Sequence, residues 1–263
     1  MSMRDAVVVI YGGAGAVGSA MARAFAREGA RVLVTGRKKE KLEALAREIE
    51  KSGGRAHAAV VDATDEAAVE AHLDASMREH GRIDVSFDAM GFAQTGIQGI
   101  PLAELSVAAF MKPAELQLRA HFVTARAAAR RMREQRSGVI LVHTPSPARA
   151  GTPLVGGMGP LWAGLESLTR QLSAELAPLG VRAIGLRTTG LVETATIDEV
   201  YGLHAKALGI GTKEFQALIE SRTQRQRSTT LAELAEAAVF VASSRGTGFA
   251  GTTLDLTGGM VAD

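Results

Sequence analysis

Gly12-Gly13-Ala14-Gly15-Ala16-Val17-Gly18 follows directly on the apolar run Ala6–Ile10 and Tyr11. A helical pattern starts at once, with Ala20, Met21, Ala24 and Phe25 on one face. Strand, glycine turn and helix in this order aim a helix N-terminus, with its unbonded N–H groups, at an anion. Glycine is needed there because a side chain would block the approach of a diphosphate. The spacing Gly13-x-Gly15-x-x-Gly18 is that of a dinucleotide-binding turn, and its place between a strand and a helix supports that reading over mere packing. The next apolar run, Arg31–Thr35, ends in Gly36-Arg37-Lys38-Lys39. In a dinucleotide fold this strand end meets the adenosine ribose, where an acidic residue accepts from the free 2′-hydroxyl of NAD. Here cations stand instead. The Arg37 fork fits a 2′-phosphate, with Lys38 beside it, so NADP is expected and NAD disfavoured. Lys39 and Lys41 read as a solvated helix start.

Proton chemistry has fewer candidates. His143 lies near the end of a strand, and Ser146 follows Pro145. His121 lies one helical turn beyond Gln117, on the same side. A histidine there suits acid work near neutral pH. Tyr201 and His204 lie in a later helical stretch. Each also has a plain structural reading, as a core histidine or a turn serine.

Composition narrows the classes. The chain has 263 residues, 46% hydrophobic and 22% charged, enough for a substantial core. Its formal charge of +2 and pI near 9.1 are mild, the arginines are scattered, and 4% aromatic residues offer few stacking platforms. A dedicated nucleic-acid binder is not expected. Without cysteine there is no disulfide, thiol nucleophile or thiolate metal site, and no metal is expected. The first apolar run has a strand's length rather than a signal peptide's, and no stretch approaches a membrane span. The expectation is a cytoplasmic protein that does not enter membranes.

The positioning elements alternate. Strands are expected at 6–10, 31–35, 56–61, within 82–91, and at 139–144, 181–186 and 251–256. Helices are expected at 16–27, 40–51, 66–80, 113–135 and 160–179, with a polar helical stretch to about 227. Thr64 is expected to cap the third helix, and Thr230-Leu-Ala-Glu233 is a capping box opening the last. Alternation of strand and helix predicts an α/β fold: one Rossmann-type, doubly wound parallel sheet of about seven strands, spanning 1–263 as a single domain.

Taken together, the motifs resemble the short-chain dehydrogenase/reductase family over the whole chain. They are the turn Gly12-x-x-x-Ala16-x-Gly18, Gly36-Arg37, Val60-Val61-Asp62, Ile83-Asp84-Val85 and Ser137-Gly138-Val139-Ile140. They continue with Leu168–Leu176, Gly180-Val181-Arg182, Gly190-Leu-Val-Glu-Thr194 and Gly251–Gly259. The resemblance implies nicotinamide dinucleotide binding at the strands' C-terminal ends. It implies that Gly12, Gly13, Gly15, Ala16, Val17 and Gly18 form the diphosphate turn. It further implies that Asp62 contacts the adenine, that Gly91 follows the strand under the adenosine, and that Val192 and Thr194 meet the nicotinamide amide. It also implies a homodimer or homotetramer.

The family's chemistry uses asparagine, serine, tyrosine and lysine. By their neighbours, those places hold Gln117, Pro145, Met158 and Trp162 here. The family's Asn-Asn-Ala-Gly motif reads Asp88-Ala-Met-Gly91, and Tyr11 stands for a threonine. In the register of enoyl reductases of this fold, the tyrosine place is Val155 and the lysine place is still Trp162. The resemblance thus implies an NADP(H)-dependent oxidoreductase with non-standard catalytic residues and a small-molecule substrate. The alternative is a non-catalytic NADP-binding sensor or interaction protein on the same scaffold.

Overall fold

A computed structural model describes residues 3–261. Seven strands form one parallel sheet in the order β3-β2-β1-β4-β5-β6-β7. They are β1 (Val7–Tyr11), β2 (Arg31–Gly36), β3 (Arg55–Val60), β4 (Val85–Asp88), β5 (Gly138–Pro145), β6 (Val181–Thr188) and β7 (Thr253–Asp255). The helices between them are α1 (Ala16–Arg27), α2 (Lys39–Lys51), α3 (Glu66–His80), α4 (Val107–Pro113), α5 (Arg119–Gln135) and α6 (Met158–Leu176). After β6 come α7 (Ala195–Leu208), α8 (Thr212–Ser221) and α9 (Leu231–Ala242). This is the expected doubly wound sheet. The strand order reverses between β1 and β4, and such a switch point opens a crevice beyond the strands' C-terminal ends.

Both sheet faces are covered, so β1 and β4 are buried along their whole length. On one face Val8, Ile10, Val32 and Val34 pack against Met21 and Phe25 of α1, Leu42 of α2 and Leu234 of α9. On the other, Val7, Val9 and Tyr11 meet Val69 and Leu73 of α3 and the alanine-rich side of α5. The sequence alternation of strand side chains sorts them to the two faces. Among the described residues, no helix is long and apolar enough to cross a membrane.

Two local expectations are corrected. Asp65, not Thr64, caps α3: its carboxylate accepts from the Ala68 amide at 3.1 Å, while Thr64 turns back onto Asp62. The long helix does not begin at Pro113. It starts six residues earlier, at Val107, capped by Ser106, whose hydroxyl accepts from the Ala109 amide at 3.2 Å. Pro113 ends α4, and a π turn, Ala114–Leu118, joins it to α5. Proline has no N–H for the α ladder, so the sequence reads it as a helix start. The π turn carries the chain on past it. Such turns are rare and concentrate at functional sites.

A buried charge network ties the C-terminal half together. Arg187 of β6 donates two bonds to Glu166 of α6, each 2.8 Å. It also reaches Asp255 of β7 at 3.0 Å. The Thr144 hydroxyl of β5 donates to the same Glu166 at 3.0 Å. Side chains 166 and 187 are 4% and 6% exposed. At that depth a lone charge is poorly solvated, so removing one partner is much worse than the pair's net worth. Glu166→Leu is expected to lower unfolding free energy by about 3–5 kcal/mol, measured as a shift of the urea midpoint at unchanged slope.

Candidate active site

At the switch point lies a cleft of about 840 Å³. One end is built by the β1–α1 turn. The N-terminus of α1 has no side-chain cap and no acidic residue in its first turn. Its orphan N–H groups therefore stay available to an external anion. Gly12, Gly15, Ala16 and Val17 line the cleft. Gly13 and Gly18 lie behind it. The Gly13 amide donates to the Thr35 carbonyl at 2.8 Å and locks the turn to β2. A Cβ on Gly18 would sit 2.4 Å from the Gly12 carbonyl oxygen and 2.8 Å from the Gly13 Cα, both backbone atoms. These contacts suit an extended, diphosphate-sized anion held by main chain.

Beyond the turn, Arg37 and Lys38 line the cleft and are exposed. Asp62 faces them from the end of β3. Its carboxylate accepts the Thr64 amide at 2.9 Å and the Thr64 hydroxyl at 2.7 Å. Those bonds hold its pKa below the usual carboxylate range, and the charge of Arg37 adds to the effect. Gly91 lines the same wall. Thr194 does too, and its hydroxyl caps α7 by accepting from the Ile197 amide at 3.3 Å. Val192 does not line the cleft. It packs on the Tyr201–Phe215 cluster.

The other end is mostly apolar. Phe92, Leu116, Met158, Trp162, Val200 and Phe215 contribute to it. Gln117 and Pro145 complete this wall with Met158 and Trp162, so four residues from the π turn, β5 and α6 meet in one space. Met158 and Trp162, a helical turn apart, belong to one packed cluster with Ile97 and Val142.

The candidate proton carriers separate. His121 does not line the cleft. It is 3% exposed, and its Nδ1 lies 2.9 Å from the Gln117 carbonyl and 3.5 Å from Asp88 Oδ2. Both neighbours are acceptors, so Nδ1 holds the hydrogen. His143 lines the cleft, with Nε2 2.9 Å from the Thr188 hydroxyl oxygen. That hydroxyl donates to the Thr189 carbonyl at 2.8 Å. Nε2 is therefore the donor nitrogen. Burial, with the charge of His121 adding, pushes the His143 imidazole down to about 4. It is neutral at pH 7. Ser146 is buried and also lines the cleft.

α7 and α8 close over this end. Glu199 of α7 accepts from the Gln94 amide at 2.9 Å and from the Thr95 amide and hydroxyl, both at 2.8 Å. Partial burial works against the charge, yet these bonds hold the carboxyl below its ordinary value. His204 of α7 bonds Gln98 Oε1 at 3.1 Å, and the Gln98 amide donates to Gln94 Oε1 at 2.8 Å. Tyr201 lies between them, with Phe215 edge-on at 5.2 Å. Sequence reasoning singled out Tyr201 and His204 but gave no sign of this clamp. Glu199, Gln94 and Gln98 carry no motif. Among the described residues, no group of three His, Cys, Asp or Glu is placed to hold a metal ion.

Known proteins resemble this chain throughout. The sequence profile described as Enoyl-(Acyl carrier protein) reductase matches residues 12–261. The oxidoreductase YxbG of Bacillus subtilis is 28% identical over 260 residues, covering 99% of this chain and 92% of that protein. Cis-4-hydroxycyclohexanecarboxylate dehydrogenase of Sinomonas cyclohexanicum is 30% identical over 258 residues, 98% and 97% of the two chains. A gluconate 5-dehydrogenase from Burkholderia cenocepacia, solved with NADP and tartrate, superposes with a TM-score of 0.85 at 27% identity. That match covers 98% of this chain and 97% of the other.

The glycine turn provides a direct test of the cleft's architecture. Gly18→Ala forces a methyl against backbone that has no room to move, and overpacking of this kind costs about 1–3 kcal/mol. The expected result is a lower urea midpoint than for Gly91→Ala, where a Cβ meets nothing within 4 Å.

Proposed function

Because the chain belongs to the short-chain dehydrogenase/reductase family of oxidoreductases, we propose that it is an NADP(H)-dependent member whose reactive groups are not the family's usual four. One observation carries the reading. Gln117, Pro145, Met158 and Trp162, the residues in the places that the resemblance assigns to asparagine, serine, tyrosine and lysine, wall the same cleft as the glycine turn. When bound, the reduced nicotinamide supplies a hydride. This chain's residues bind, orient and exclude water. Gly12, Gly15, Ala16 and Val17 would hold the diphosphate, with Gly13 and Gly18 shaping the turn. Arg37 and Lys38 would hold the 2′-phosphate, and Asp62 and Gly91 would border the adenosine. Thr194 and Val192 would border the nicotinamide, Val192 through its backbone.

The whole chain then acts as one cofactor-binding domain. Leu102, Val107, Met111 and Phe122 are exposed apolar residues on or just before α4 and α5, with Val107 79% exposed. These exposed residues on and beside α4 and on α5 support assembly into a homodimer or homotetramer.

Met158 and Pro145 have no proton to give, and the indole N–H of Trp162 does not replace an ammonium. Ordinary ketones leave an alkoxide that needs a proton as the hydride arrives, and a positioned acid is worth about 10²–10⁴-fold there. Electron-poor enones and quinones leave better stabilised anions, so they are the proposed substrates.

Two measurements test this. In titration calorimetry NADPH should bind more tightly than NADH. Charge-assisted bonds to the 2′-phosphate are worth about 1.5–3 kcal/mol, roughly tenfold or more in affinity. Equal affinities, or an unchanged NADPH affinity in Arg37→Ala, would overturn the NADP assignment. In a panel of ketones, aldehydes, enones and quinones, NADPH oxidation should favour the last two classes. Simple ketones should turn over far below a common enzymatic rate of about 10 s⁻¹. Ordinary-rate ketone reduction refutes the missing-acid reading. Silence on every class, with tight NADPH binding, refutes the enzyme.

A further inference from the structure

α8 turns one face to the cleft. Phe215, Ile219 and Arg222 all line it. Arg222 ends the helix as its C-cap and keeps helical backbone, so the spacing of four and then three residues puts all three on one side. Exposure rises along this face: Phe215 is buried, Ile219 half-buried and Arg222 exposed. The face therefore runs from the apolar interior of the substrate end to its rim. At the helical rise, Arg222 stands about 10 Å along the axis from Phe215.

The guanidinium at that rim is uncommitted. Among the described residues, none bonds to it or pairs with its charge. The carboxylates nearest in sequence are taken. Glu233 pairs with Arg225, and with Arg227 at 2.6 Å. Glu220 accepts from Ser228 at 3.0 Å and from Gln216 at 3.1 Å. The other cations of the cleft, Arg37, Lys38 and Lys41, follow β2 at the turn end. His143 and His204 line the substrate end, and burial holds both below the ordinary histidine value. Two carboxylates border that end, and both face protein donors. Asp88 accepts the Met90 amide at 2.7 Å, and Glu199 accepts three bonds from Gln94 and Thr95. Arg222 is left as the free positive charge at the substrate end.

We propose that Arg222 reads a carboxylate on the substrate. The acceptor is then an enone or quinone with an apolar body and an anionic end. The body lies among Phe215, Ile219, Met158 and Trp162, and the carboxylate meets the guanidinium at the rim. This rests on the oxidoreductase reading above and names the substrate class of that same site. The planar fork of arginine matches a carboxylate through two parallel N–H···O bonds. The contact is remote from the reacting carbonyl. It holds substrate and transition state alike, so it lowers KM rather than raising kcat. Because the guanidinium is open to water, the gain is modest and salt-sensitive.

The test uses the whole protein and two probes, benzylideneacetone bearing a para-carboxylate and a naphthoquinone bearing a propionate side chain. Each is compared with its own methyl ester. The chain has no cysteine, so these conjugated probes find no thiol to alkylate. Binding is measured by titration calorimetry with NADP⁺ present, where no hydride transfer occurs, and again without cofactor. The wild type should bind at least one acid about fivefold more tightly than its ester, the upper range for an exposed ion pair. High salt should shrink that preference. Arg222→Gln should abolish it, Arg222→Glu should reverse it, and Arg222→Lys should retain part of it. All three variants should melt with the wild type and bind NADPH as tightly. In turnover, Arg222→Gln should raise KM for the acid by a similar factor with little change in kcat. The proposal is overturned if neither acid binds more tightly than its ester, or if the preference survives in Arg222→Gln. It is also overturned if that variant loses NADPH affinity, which assigns Arg222 to the cofactor. Failure of the oxidoreductase reading is seen separately, as an Arg222-dependent preference in calorimetry with no hydride passed to either probe.

Discussion

The buried pair Arg187–Glu166 is the constraint on which the reactive half of the molecule depends. It joins α6 to β6 by a bidentate bond, reaches β7 through Asp255, and takes in β5 through Thr144. Met158 and Trp162 lie two helical turns and one turn before Glu166 on α6. Pro145 follows Thr144, and Gly190 lies three residues beyond Arg187. One charge network therefore sets the relative positions of three cleft walls. Buried ion pairs add little net stability against a hydrophobic replacement, but their geometry is exacting. Here the geometric demand falls where walls from distant parts of the chain have to meet.

The two ends of the cleft are built on different principles. The turn end is main chain: a helix N-terminus, a glycine contact with no space for a methyl, and an amide bonded to the neighbouring strand. Such a site recognises an anion by backbone dipoles and tolerates little change. The far end is side chain. It is lined by apolar residues and roofed by α7, which Glu199 and His204 bind to the loop around Gln94 and Gln98. Polar side chains of α7 tie that loop to the roof. This lets the substrate end differ between relatives that share the turn, consistent with the varied activities named for proteins of this fold.

Proton chemistry illustrates the same division. Three histidines and a tyrosine lie in or near the cleft, yet their environments distribute them. His121 is turned to Asp88 and the Gln117 carbonyl, His143 to Thr188, and His204 to Gln98. Each spends a ring hydrogen on the protein. Tyr201 lines the cleft as well, but its hydroxyl is buried against the Gly190 main chain.

The strands, most helices and the glycine turn were legible in the sequence, because each is dictated by neighbours in the chain. Apolar runs of strand length, a capping box at Thr230 and Glu233, and glycine after an apolar run are local signals, and the structure realises them. Pro113 misled for a local reason: a proline at a helix start and one before a π turn look alike in sequence. Asp65 and Thr64 differ by which oxygen wins the amide of Ala68, a choice made by geometry. The charge network and the clamp of α7 on the loop around Gln94 join residues from 21 to 106 positions apart. No spacing rule records such pairs. The sequence determined that this chain would fold as a parallel α/β sheet with an anion-binding turn, because those depend on periodicity and backbone freedom. Only the tertiary structure decided which side chains meet at the substrate end, because burial and partnering there depend on elements that are distant along the chain.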